Sequence, residues 1–379
     1  MARTLKSDRL LFLMTMLLVG VSVVMVYSAS SIQAAGRYEV SAEHFLYRQL
    51  LWAVVGFGVM FVVMRVDYHV YQQPIVIWPM IGVTAVLLVV VLFGNEVNGA
   101  TRWISVSFIN LQPSEVAKLT AIVFTAAVLE WRMHRIGDVT YAVTPIAVVC
   151  CGFVGLILLE PDLGTSVVLV LVVVTMLFAA GLRVGHLVTA ALVLVPAAAA
   201  LILSSPYRRT RFMAFLDPEG SHQIRQSFIA IGSGGLFGLG LFDGVQKLFY
   251  LPEAHTDFIF AVIAEELGLV GTTSILICFL VLGWRGLRVS LLARDRFGSL
   301  LALGITMMVT LQALLNITVV TGLAPTKGLP LPFISNGGSS LLINMAAMGI
   351  LLNVSQQASA TAAATASGPA RWVLGEQEA

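Results

Sequence analysis

The chain has 379 residues, of which 58% are hydrophobic and only 11% are charged, and its formal net charge is +2. A typical soluble domain carries about 25% charged residues, so this composition excludes a soluble globular enzyme, a disordered chain and a nucleic-acid-binding domain. The remaining class is a polytopic membrane protein that has most of its length inside lipid.

Ten apolar runs are long enough to cross a bilayer, because a spanning helix needs about 20 residues to cross about 30 Å of hydrocarbon. The predicted fold class is therefore an all-α polytopic membrane protein with about ten transmembrane helices. The run from Pro113 to Trp131 is the most polar, since it contains Glu115, Lys118 and Glu130. In chain order the runs are Leu10–Tyr27, Phe45–Met64, Pro74–Gly94, Pro113–Trp131, Tyr141–Leu159, Leu163–Leu182, Leu187–Ser205, Leu267–Trp284, Phe297–Ala324 and Ser339–Ser355.

The distribution of basic residues predicts that both termini are cytoplasmic. In that orientation the inner segments contain 12 Lys and Arg against 7 Asp and Glu, whereas the rest of the chain contains 10 basic and 13 acidic residues. The loop Arg285–Arg296 alone has four arginines. The long segments 95–114, 204–257 and 325–338 then lie outside the membrane, so the functional site is expected on the outer face.

One domain and a tail are predicted. Residues 1–357 form the transmembrane domain, which includes a large extracytoplasmic loop at about 204–257. Residues 358–379 begin with a run rich in Ala, Ser and Thr, and they are expected to form a disordered cytoplasmic tail.

Two outer segments have an unusual composition. Ser227–Leu241 contains five glycines and no charge, but it lacks the strand–turn–helix context of a phosphate-binding loop. We interpret it as a re-entrant or interfacial segment, because glycine allows close backbone approach, with simple packing as the alternative. Pro325–Ser340 contains three prolines and three glycines, which predicts a stiff, ordered loop.

Several carboxylates lie on this outer side. Asp257 stands at the mouth of the predicted helix Phe258–Trp284, where it could cap the helix or act as a functional group, and both roles stay open. Glu265 and Glu266 lie deeper, where a carboxylate costs about 2.5–3.5 kcal/mol to insert, so we expect them to pair with buried cations. Asp162 is expected to cap the helix that follows it.

A second set of polar residues surrounds the run Pro113–Trp131. Arg102 and Trp103 precede it, and Trp103 has an alternative role as an anchor at the membrane interface. The spacing of Glu115 and Lys118 puts them on one helix face as an ion pair. Lys118 is also suited to an anionic headgroup. Further outer cations are Arg208, Arg209, Arg211, Lys247 and Lys327.

The residues alone leave more than one class of function. The sequence has no HExxH, Walker A or GxSxG motif, so metalloprotease, ATPase and serine-hydrolase functions lack support. A nucleophile pair of Ser335 and His255 is disfavoured. What remains is an enzyme that acts on a lipid-linked substrate at the outer face, a transporter or flippase with a polar cavity, or a membrane scaffold that recruits other proteins.

Six motifs carry a resemblance to a known family. They are NGATRWI at 98–104, QPSEVAK at 112–118, EPDLGTS at 160–166, QSFIAIGSGG at 226–235, YLPEAHTDFIFAVIAEELG at 250–268 and TKGLPLPFISNGGSSLL at 326–342. On these motifs the chain resembles the SEDS family (shape, elongation, division and sporulation), typified by RodA and FtsW, and most closely its FtsW division branch. Asn336 replaces the family's usual Tyr, and Phe242–Gly244 replaces its usual polar stretch.

The resemblance implies a peptidoglycan glycosyltransferase that polymerises lipid II, a disaccharide-pentapeptide on undecaprenyl pyrophosphate. The family's catalytic Asp falls on Asp257, and a carboxylate there can act as general base toward a sugar 4-hydroxyl. The departing pyrophosphate needs positive charge, for which Arg102 and Lys118 are the first candidates and Lys327 and Lys247 the next. The predicted substrate-binding residues are Arg102, Trp103, Glu115, Lys118, Lys247, His255, Lys327, Ser335 and Ser339.

The expected cofactors and partners follow from the same reaction. A divalent cation, Mg²⁺ or Mn²⁺, is a further candidate for neutralising the pyrophosphate, and no residue is assigned as its ligand. The implied partners are a class B penicillin-binding protein, which is a single-span transpeptidase, the lipid II substrate and the bilayer of the bacterial cytoplasmic membrane. The alternatives are a lipid II flippase, which would need Glu265 and Glu266 along its path, and a scaffold for cell-wall synthesis.

Overall fold

The computed structural model describes residues 7–37, 41–94, 101–106, 109–132, 139–204, 206–216, 221–248, 250–326 and 328–366. These residues are mostly α-helical, with one antiparallel hairpin in which Ile104 pairs with Leu111. The helices are α1 Arg9–Arg37, α2 His44–Arg65, α3 Pro74–Val91, α4 Pro113–Arg132, α5 Val139–Ala142, α6 Thr144–Leu159, α7 Leu163–Ala179, α8 Val184–Ser204, α9 Pro206–Leu216, α10 His222–Gly234, α11 Ile259–Leu292, α12 Arg296–Val320 and α13 Gly338–Ala366. The hairpin is formed by β1 Ile104–Val106 and β2 Ile109–Leu111, and a 3₁₀ helix covers Tyr68–Gln72.

Each of the ten predicted spans contains a helix, which confirms the all-α polytopic fold class. Within the described ranges, seven helices are long and apolar enough to cross a membrane, namely α1, α2, α3, α8, α11, α12 and α13. The helices α6 and α7 are apolar but shorter, at 16 and 17 residues. The most polar predicted span corresponds to α4, and its packing explains its charges.

The helix α4 lies at the centre of the bundle. Its residues from Ala117 to Leu129 are all buried, and it packs against α3, α6, α7, α12 and α13. Glu115 and Lys118 near its start are each only 1% exposed. Because these charged side chains face protein instead of lipid, they can satisfy one another inside the bundle.

The connections between helices meet at two ends of the bundle, as an up-and-down arrangement requires. At one end Arg102 Nε donates to the main-chain carbonyl of Glu160, between α6 and α7, at 3.3 Å. At the other end Arg285 Nε, on α11, donates to Asp8 Oδ2, just before α1, at 2.9 Å. The first end contains the segments predicted to lie outside, and the second contains those predicted to be cytoplasmic.

Some boundaries differ from those expected. The segment 204–257, predicted as a loop, contains the helices α9 and α10. Ile224 and Ala230 on α10 are buried, and α10 packs against α11, so a helix forms in a segment too polar to span a membrane. The helix α11 continues through Arg285, predicted to begin a loop, and α13 continues past residue 357 to Ala366. Residues 367–379 lie outside the described part, so the disorder of the tail stays a prediction.

The helix α11 is interrupted at Gly268, and another segment replaces its missing hydrogen bonds. Gly268 has φ +64° and ψ −161°, so the regular helical ladder stops there. The N–H of Leu239 donates to the carbonyl of Glu265 at 2.9 Å. The N–H of Gly240 donates to the carbonyl of Glu266 at 3.1 Å. Main-chain groups freed inside a membrane need partners of this kind.

The same segment bonds to the far side of the interruption. The N–H of Leu269 donates to the carbonyl of Gly235 at 3.0 Å, and the N–H of Val270 donates to the carbonyl of Leu236 at 3.1 Å. A Cβ at Gly238 would lie 2.1 Å from the carbonyl oxygen of Glu266. The segment Ser227–Leu241 therefore consists of the second half of α10 followed by Gly235–Gly240, whose main chain hydrogen-bonds to α11 on both sides of the interruption. We call Gly235–Gly240 the splice. Gly234 and Gly238 allow this close backbone approach, and the re-entrant or interfacial position of the segment stays a prediction.

Candidate active site

Asp257 lies in a tight turn that leads into α11. The turn starts at Glu253, which has φ +55° and whose carbonyl accepts the N–H groups of Thr256 and Phe258, each at 3.2 Å. The N-cap residue of α11 is Phe258, and it makes no side-chain cap bond. The capping role considered for Asp257 is therefore wrong, and the functional role is the alternative that remains.

The guanidinium of Arg102 and the carboxylate of Asp257 border the same small space. An ideal Cβ added at Gly328 would lie 3.1 Å from Arg102 Nη1 and 3.3 Å from Asp257 Oδ2. The rest of the guanidinium is held by main-chain carbonyls, because Nε and Nη2 donate to Glu160 O and Pro161 O. Carbonyl groups carry no full charge, so Arg102 keeps its positive charge beside Asp257.

An open cavity of about 100 Å³ lies next to this pair. Its lining combines two arginines and an aspartate with apolar side chains from α7, α8 and α9. Such a lining suits a ligand in which an anionic group is joined to an apolar chain. The cavity is lined by Arg102, Pro161, Asp162, Leu163, Gly164, Ile202, Arg211, Phe212, Pro325, Thr326 and Gly328.

Asp162 has a structural task at the edge of the cavity. Its Oδ1 accepts the N–H of Thr165 at 3.1 Å, and its Oδ2 accepts the Thr165 hydroxyl at 2.7 Å. Gln112 Nε2 donates to the same Oδ2 at 3.3 Å. The expected cap of the following helix is thus confirmed.

The charges around Asp257 act in opposite directions on its pKa. Burial and the negative charge of Glu253 raise the pKa of Asp257 to about 7, with a smaller upward effect from Asp162. The positive charges of Arg211 and Arg102 lower it. A carboxylate with a pKa near neutrality can accept and release a proton at physiological pH, which is what a general base requires.

Glu160 is held as a neutral acid next to Arg102. Its side chain is fully buried, and neither carboxyl oxygen has a hydrogen-bond partner among the described residues. Burial and the negative charge of Asp162 raise the pKa of Glu160 to about 9, and Arg102 partly opposes this. Because Glu160 is uncharged at physiological pH, it does not cancel the charge of Arg102.

The predicted ion pair of Glu115 and Lys118 forms inside the bundle and is confirmed. Lys118 Nζ lies 2.9 Å from Glu115 Oε1 and also donates to Gln312. Ser340 donates to the other carboxylate oxygen of Glu115 at 3.2 Å. Both charged side chains are enclosed by protein here, so their contact with substrate stays a prediction.

The serines of the predicted site hold main-chain segments together. Ser335 donates to the carbonyl of Thr256 at 2.6 Å, which ties the loop after α12 to the turn that contains Asp257. Ser339 accepts the N–H of Gln112 at 3.2 Å. His255, in the same turn, is 6% exposed. Substrate binding by Ser335, Ser339 and His255 stays a prediction.

Lys247 belongs to a second buried cluster. Its Nζ lies 2.6 Å from Glu266 Oε1 and 2.8 Å from Ser28 Oγ. The expected pairing with a buried cation is thus confirmed for Glu266. Glu265 accepts the main-chain N–H of Val245 at 2.8 Å. This cluster joins α1 to α11 near the interruption at residue 268.

The remaining predicted residues differ in how far the structure describes them. Trp103 is partly buried just before β1. Lys327 lies outside the described residues. Arg211, one of several outer cations in the sequence, reaches the cavity because it lies on α9. No sequence signal distinguishes Arg211 from its neighbours, since its place depends on how that helix packs.

The protein ligands for a divalent cation are few. Across the ranges that the structure describes, no group of three or more His, Cys, Asp or Glu side chains is placed to hold a metal ion. Asp162 lines the cavity, and Asp257 lies beside Gly328, which also lines it. A Mg²⁺ or Mn²⁺ ion there would depend on phosphate oxygens of a substrate for most of its ligands.

The fold and the site together define a multi-pass membrane protein with an aspartate and two arginines at a partly apolar cavity. The chain belongs to the FtsW/RodA/SpoVE family of cell cycle proteins, which matches residues 8–360.

Individual relatives cover nearly the whole chain. A probable peptidoglycan glycosyltransferase FtsW of Trichlorobacter lovleyi is 45% identical over 361 residues, which are 93% of this chain and 94% of the relative. Stage V sporulation protein E of Bacillus subtilis is 44% identical over 360 residues, or 92% and 97% of the two chains.

Solved structures share the fold. A chain from a peptidoglycan synthase complex has a TM-score of 0.77 at 28% identity, covering 93% of this chain and 99% of that one. RodA of Thermus thermophilus has a TM-score of 0.69 at 29% identity, covering 93% and 97%.

Proposed function

We propose that this protein is a peptidoglycan glycosyltransferase of cell division. It polymerises lipid II into β-1,4-linked glycan strands at the outer face of the cytoplasmic membrane and releases undecaprenyl pyrophosphate. The observation that carries the proposal is the Asp257 carboxylate, whose pKa is about 7 and which borders one small space with Arg102. The names of relatives that are 42–45% identical support the reaction.

Asp257 is the general base in this proposal. Its carboxylate takes the proton from the 4-hydroxyl of the acceptor sugar as that oxygen attacks the anomeric carbon of the donor. A bond forms between this oxygen and the anomeric carbon. The bond from the anomeric carbon to the pyrophosphate oxygen breaks, and its electron pair leaves with the pyrophosphate. Direct displacement converts an α-linked donor into a β-linked product.

Two arginines stabilise the leaving group in this proposal. Arg102 and Arg211 both line the cavity, and the charge of each acts on Asp257. Guanidinium groups suit this task because their planar donors match phosphate oxygens. Arg211 therefore takes the place that the sequence suggested for Lys118 and Lys247, whose ammonium groups are buried in ion pairs.

The apolar part of the cavity gives the lipid chain a place. Leu163, Ile202 and Phe212 line the cavity on the side of α7, α8 and α9. A polyprenyl chain that leaves the pyrophosphate along these residues stays in an apolar environment and can continue into the bilayer. This arrangement supports a lipid-linked substrate over a soluble sugar nucleotide.

The partner in this proposal is a class B penicillin-binding protein, a single-span transpeptidase that crosslinks the new strands. One similar solved structure is a chain of a peptidoglycan synthase complex, which supports a partner of this kind. A Mg²⁺ or Mn²⁺ ion that binds with the pyrophosphate would add positive charge at the leaving group.

The flippase alternative finds less support. A path across the bilayer would need exposed polar groups, and Glu265 and Glu266 are each 1% exposed. Glu266 is paired with Lys247, and Glu265 is bonded to main-chain N–H groups. A pure scaffold, in turn, gives no reason for an aspartate of raised pKa beside two arginines.

The decisive experiment is polymerisation of fluorescent lipid II by the purified full-length protein with its class B partner and Mg²⁺ or Mn²⁺. We expect glycan strands from the wild type and a loss of about 10³-fold or more from Asp257→Asn, because the base is removed. Asp243→Asn makes the same chemical change at an exposed residue of the same outer segment, and it should retain the wild-type rate.

Two results would contradict the proposal. Wild-type activity in Asp257→Asn would exclude Asp257 as the general base. A folded wild type that makes no strands with its partner would exclude the polymerase, and transport of lipid II across vesicles would then be the activity to measure.

A further inference from the structure

One buried amide joins two parts of the candidate site. Asn316 lies on α12 and is 1% exposed. Its Nδ2 donates to the main-chain carbonyl of Asp257 at 2.8 Å and to that of Leu329 at 2.7 Å. Leu329 follows Gly328, the residue next to which Arg102 and Asp257 approach each other. A single side chain therefore bonds to the main chain on both sides of the space.

The side-chain oxygen of Asn316 makes no comparable contact, so the two bonds donated by Nδ2 are the interactions that this side chain contributes. Its Oδ1 is buried and has no hydrogen-bond partner within the described ranges. An unsatisfied buried acceptor costs free energy, and an apolar side chain would instead take the donor away from the carbonyls of Asp257 and Leu329. The asparagine is therefore explained by the two main-chain segments that it joins.

The helix α12 is a rigid support for such a contact. Gln312, one turn before Asn316, donates to the carbonyl of Pro330 at 3.0 Å and accepts from Lys118 on the central helix α4. The turn that contains Asp257 is also tied to the loop by Ser335, which donates to the carbonyl of Thr256 at 2.6 Å, while the N-cap residue of α11 makes no side-chain cap bond. Two neighbouring amides thus hold a turn and a loop against one well-packed helix.

We propose that Asn316 is a positioning residue that holds the Asp257 carboxylate at a fixed place beside Arg102. The inference rests on the proposed function, in which that carboxylate is the general base. Proton transfer requires hydrogen-bond reach to the acceptor hydroxyl, and a displacement of about 1 Å can cost about 10²-fold in rate. Asn316 acts through Asp257 and touches no reacting atom itself.

The kinetic test compares variants that differ in the donor group. Asn316→Leu removes both donor bonds with little change in volume, and Asn316→Gln keeps an amide on a longer side chain. For lipid II polymerisation with the partner, we expect Asn316→Leu to lower kcat by about 10- to 100-fold with KM changed less than about 2-fold. Asn316→Gln should recover part of the rate.

Asn353→Leu is the matched control. Asn353 is a buried amide at the other end of the bundle, where its Nδ2 donates to the main-chain carbonyl of Met64 at 2.9 Å. Its replacement removes the same kind of interhelical bond without contact to the site. We expect it to keep the wild-type kcat.

A second measurement does not depend on activity. Carbodiimide coupling of an amine to carboxyl groups, read by mass spectrometry over a range of pH, reports the exposure and protonation of Asp257 directly. In Asn316→Leu we expect coupling at Asp257 to rise severalfold and its pH midpoint to move. Coupling at the exposed Asp243 should stay the same in every variant.

Each outcome decides the inference. If Asn316→Leu matches the wild type in coupling and kcat, Asn316 does not position Asp257, and the polymerase proposal is unaffected. If Asn353→Leu gives the same changes, they reflect lost packing and the inference fails. If the wild type makes no strands, the polymerase proposal fails and coupling at Asp257 alone decides. If Asn316→Leu does not fold, Asn316→Gln is judged by the same coupling, with an intermediate value expected.

Discussion

At the scale of single residues, the base strength of Asp257 depends on charges that reach it from different segments. Glu253 belongs to the same turn, and its Oε2 accepts the hydroxyl of Thr256 at 3.0 Å. Its negative charge adds to burial in raising the pKa of Asp257, while Arg211 and Arg102 oppose it. In mildly acidic conditions Asp257 is therefore mostly protonated and cannot accept a further proton.

The pH dependence of polymerisation follows from this balance. The acidic limb of kcat/KM is expected to have its midpoint near pH 7, because only the ionised carboxylate of Asp257 accepts a proton. Glu253→Gln keeps an acceptor for Thr256 but removes the charge, so the midpoint should move to lower pH. Asp243→Asn should leave it in place. An unchanged midpoint in Glu253→Gln would mean that this charge does not act on Asp257.

Gly328 keeps open the space between the guanidinium and the carboxylate. A methyl group there would lie 3.1 Å from Arg102 Nη1 and 3.3 Å from Asp257 Oδ2, so both would have to shift by a few tenths of an ångström. We expect Gly328→Ala to lower kcat by about tenfold while the protein stays folded. Gly337→Ala is the control in the same loop, since its nearest contact would be an ordinary 3.6 Å. Equal rates for the two variants would contradict this view.

At the scale of elements, the interruption of α11 depends on a second segment for its hydrogen bonds. Gly238 has φ +83°, and its Cα passes so close to α11 that a side chain would meet the carbonyl of Glu266. The splice brings the chain from α10 to the buried Lys247 cluster and then to the turn at Asp257. The chain therefore reaches the turn that contains Asp257 by way of this contact with α11.

Substitution of the splice glycine tests this dependence. Gly238→Ala puts a Cβ 2.1 Å from a main-chain oxygen in a left-handed conformation, so we expect a clear fall in the melting temperature or failure to fold. Gly232→Ala on α10 meets no atom within 4 Å and should be neutral or slightly stabilising. The two proteins can be compared by thermal unfolding in detergent. Similar melting temperatures would show that the splice tolerates a side chain.

Hydropathy was sufficient to predict the spanning helices, because crossing lipid imposes one length and one composition on each of them. Hydropathy does not predict α9 and α10, because these helices do not have the length and composition of a spanning helix. They form by packing on neighbouring helices. The hairpin β1–β2 was also missed, since each strand has only three residues. The helix α11 extends past its predicted end at Trp284, because an arginine such as Arg285 can continue a helix as readily as it can begin a loop.

The site was predictable where its pattern is local or where a motif marks it. The pair of Glu115 and Lys118 follows from helical spacing, and Asp257 follows from the resemblance to a family. Arg211 and Asn316 could not be found in this way, because their roles depend on the packing of α9 and α12 against distant segments. Asn316 in particular lies within an apolar run that reads as an ordinary spanning helix.

At the scale of the whole molecule, the two ends of the bundle carry different chemistry. The end opposite the cavity is closed by contacts such as Arg285 with Asp8, and it contains the arginines that the positive-inside rule assigns to the cytoplasm. The cavity end contains Asp257, Asp162 and two arginines, and apolar side chains from α7, α8 and α9 line part of the cavity. This polarity fits a reaction that uses a membrane-bound donor and delivers its product outward.

The orientation can be measured with a membrane-impermeant maleimide on spheroplasts, in a variant whose three cysteines are replaced by alanine. Leu323, between α12 and α13 at the cavity end, is 73% exposed. Arg294, between α11 and α12 at the other end, is also exposed. We expect Leu323→Cys to react in intact spheroplasts and Arg294→Cys to react only after permeabilisation. The reverse pattern would turn the cavity towards the cytoplasm, and polymerisation by Asp257 at the outer face would then be excluded.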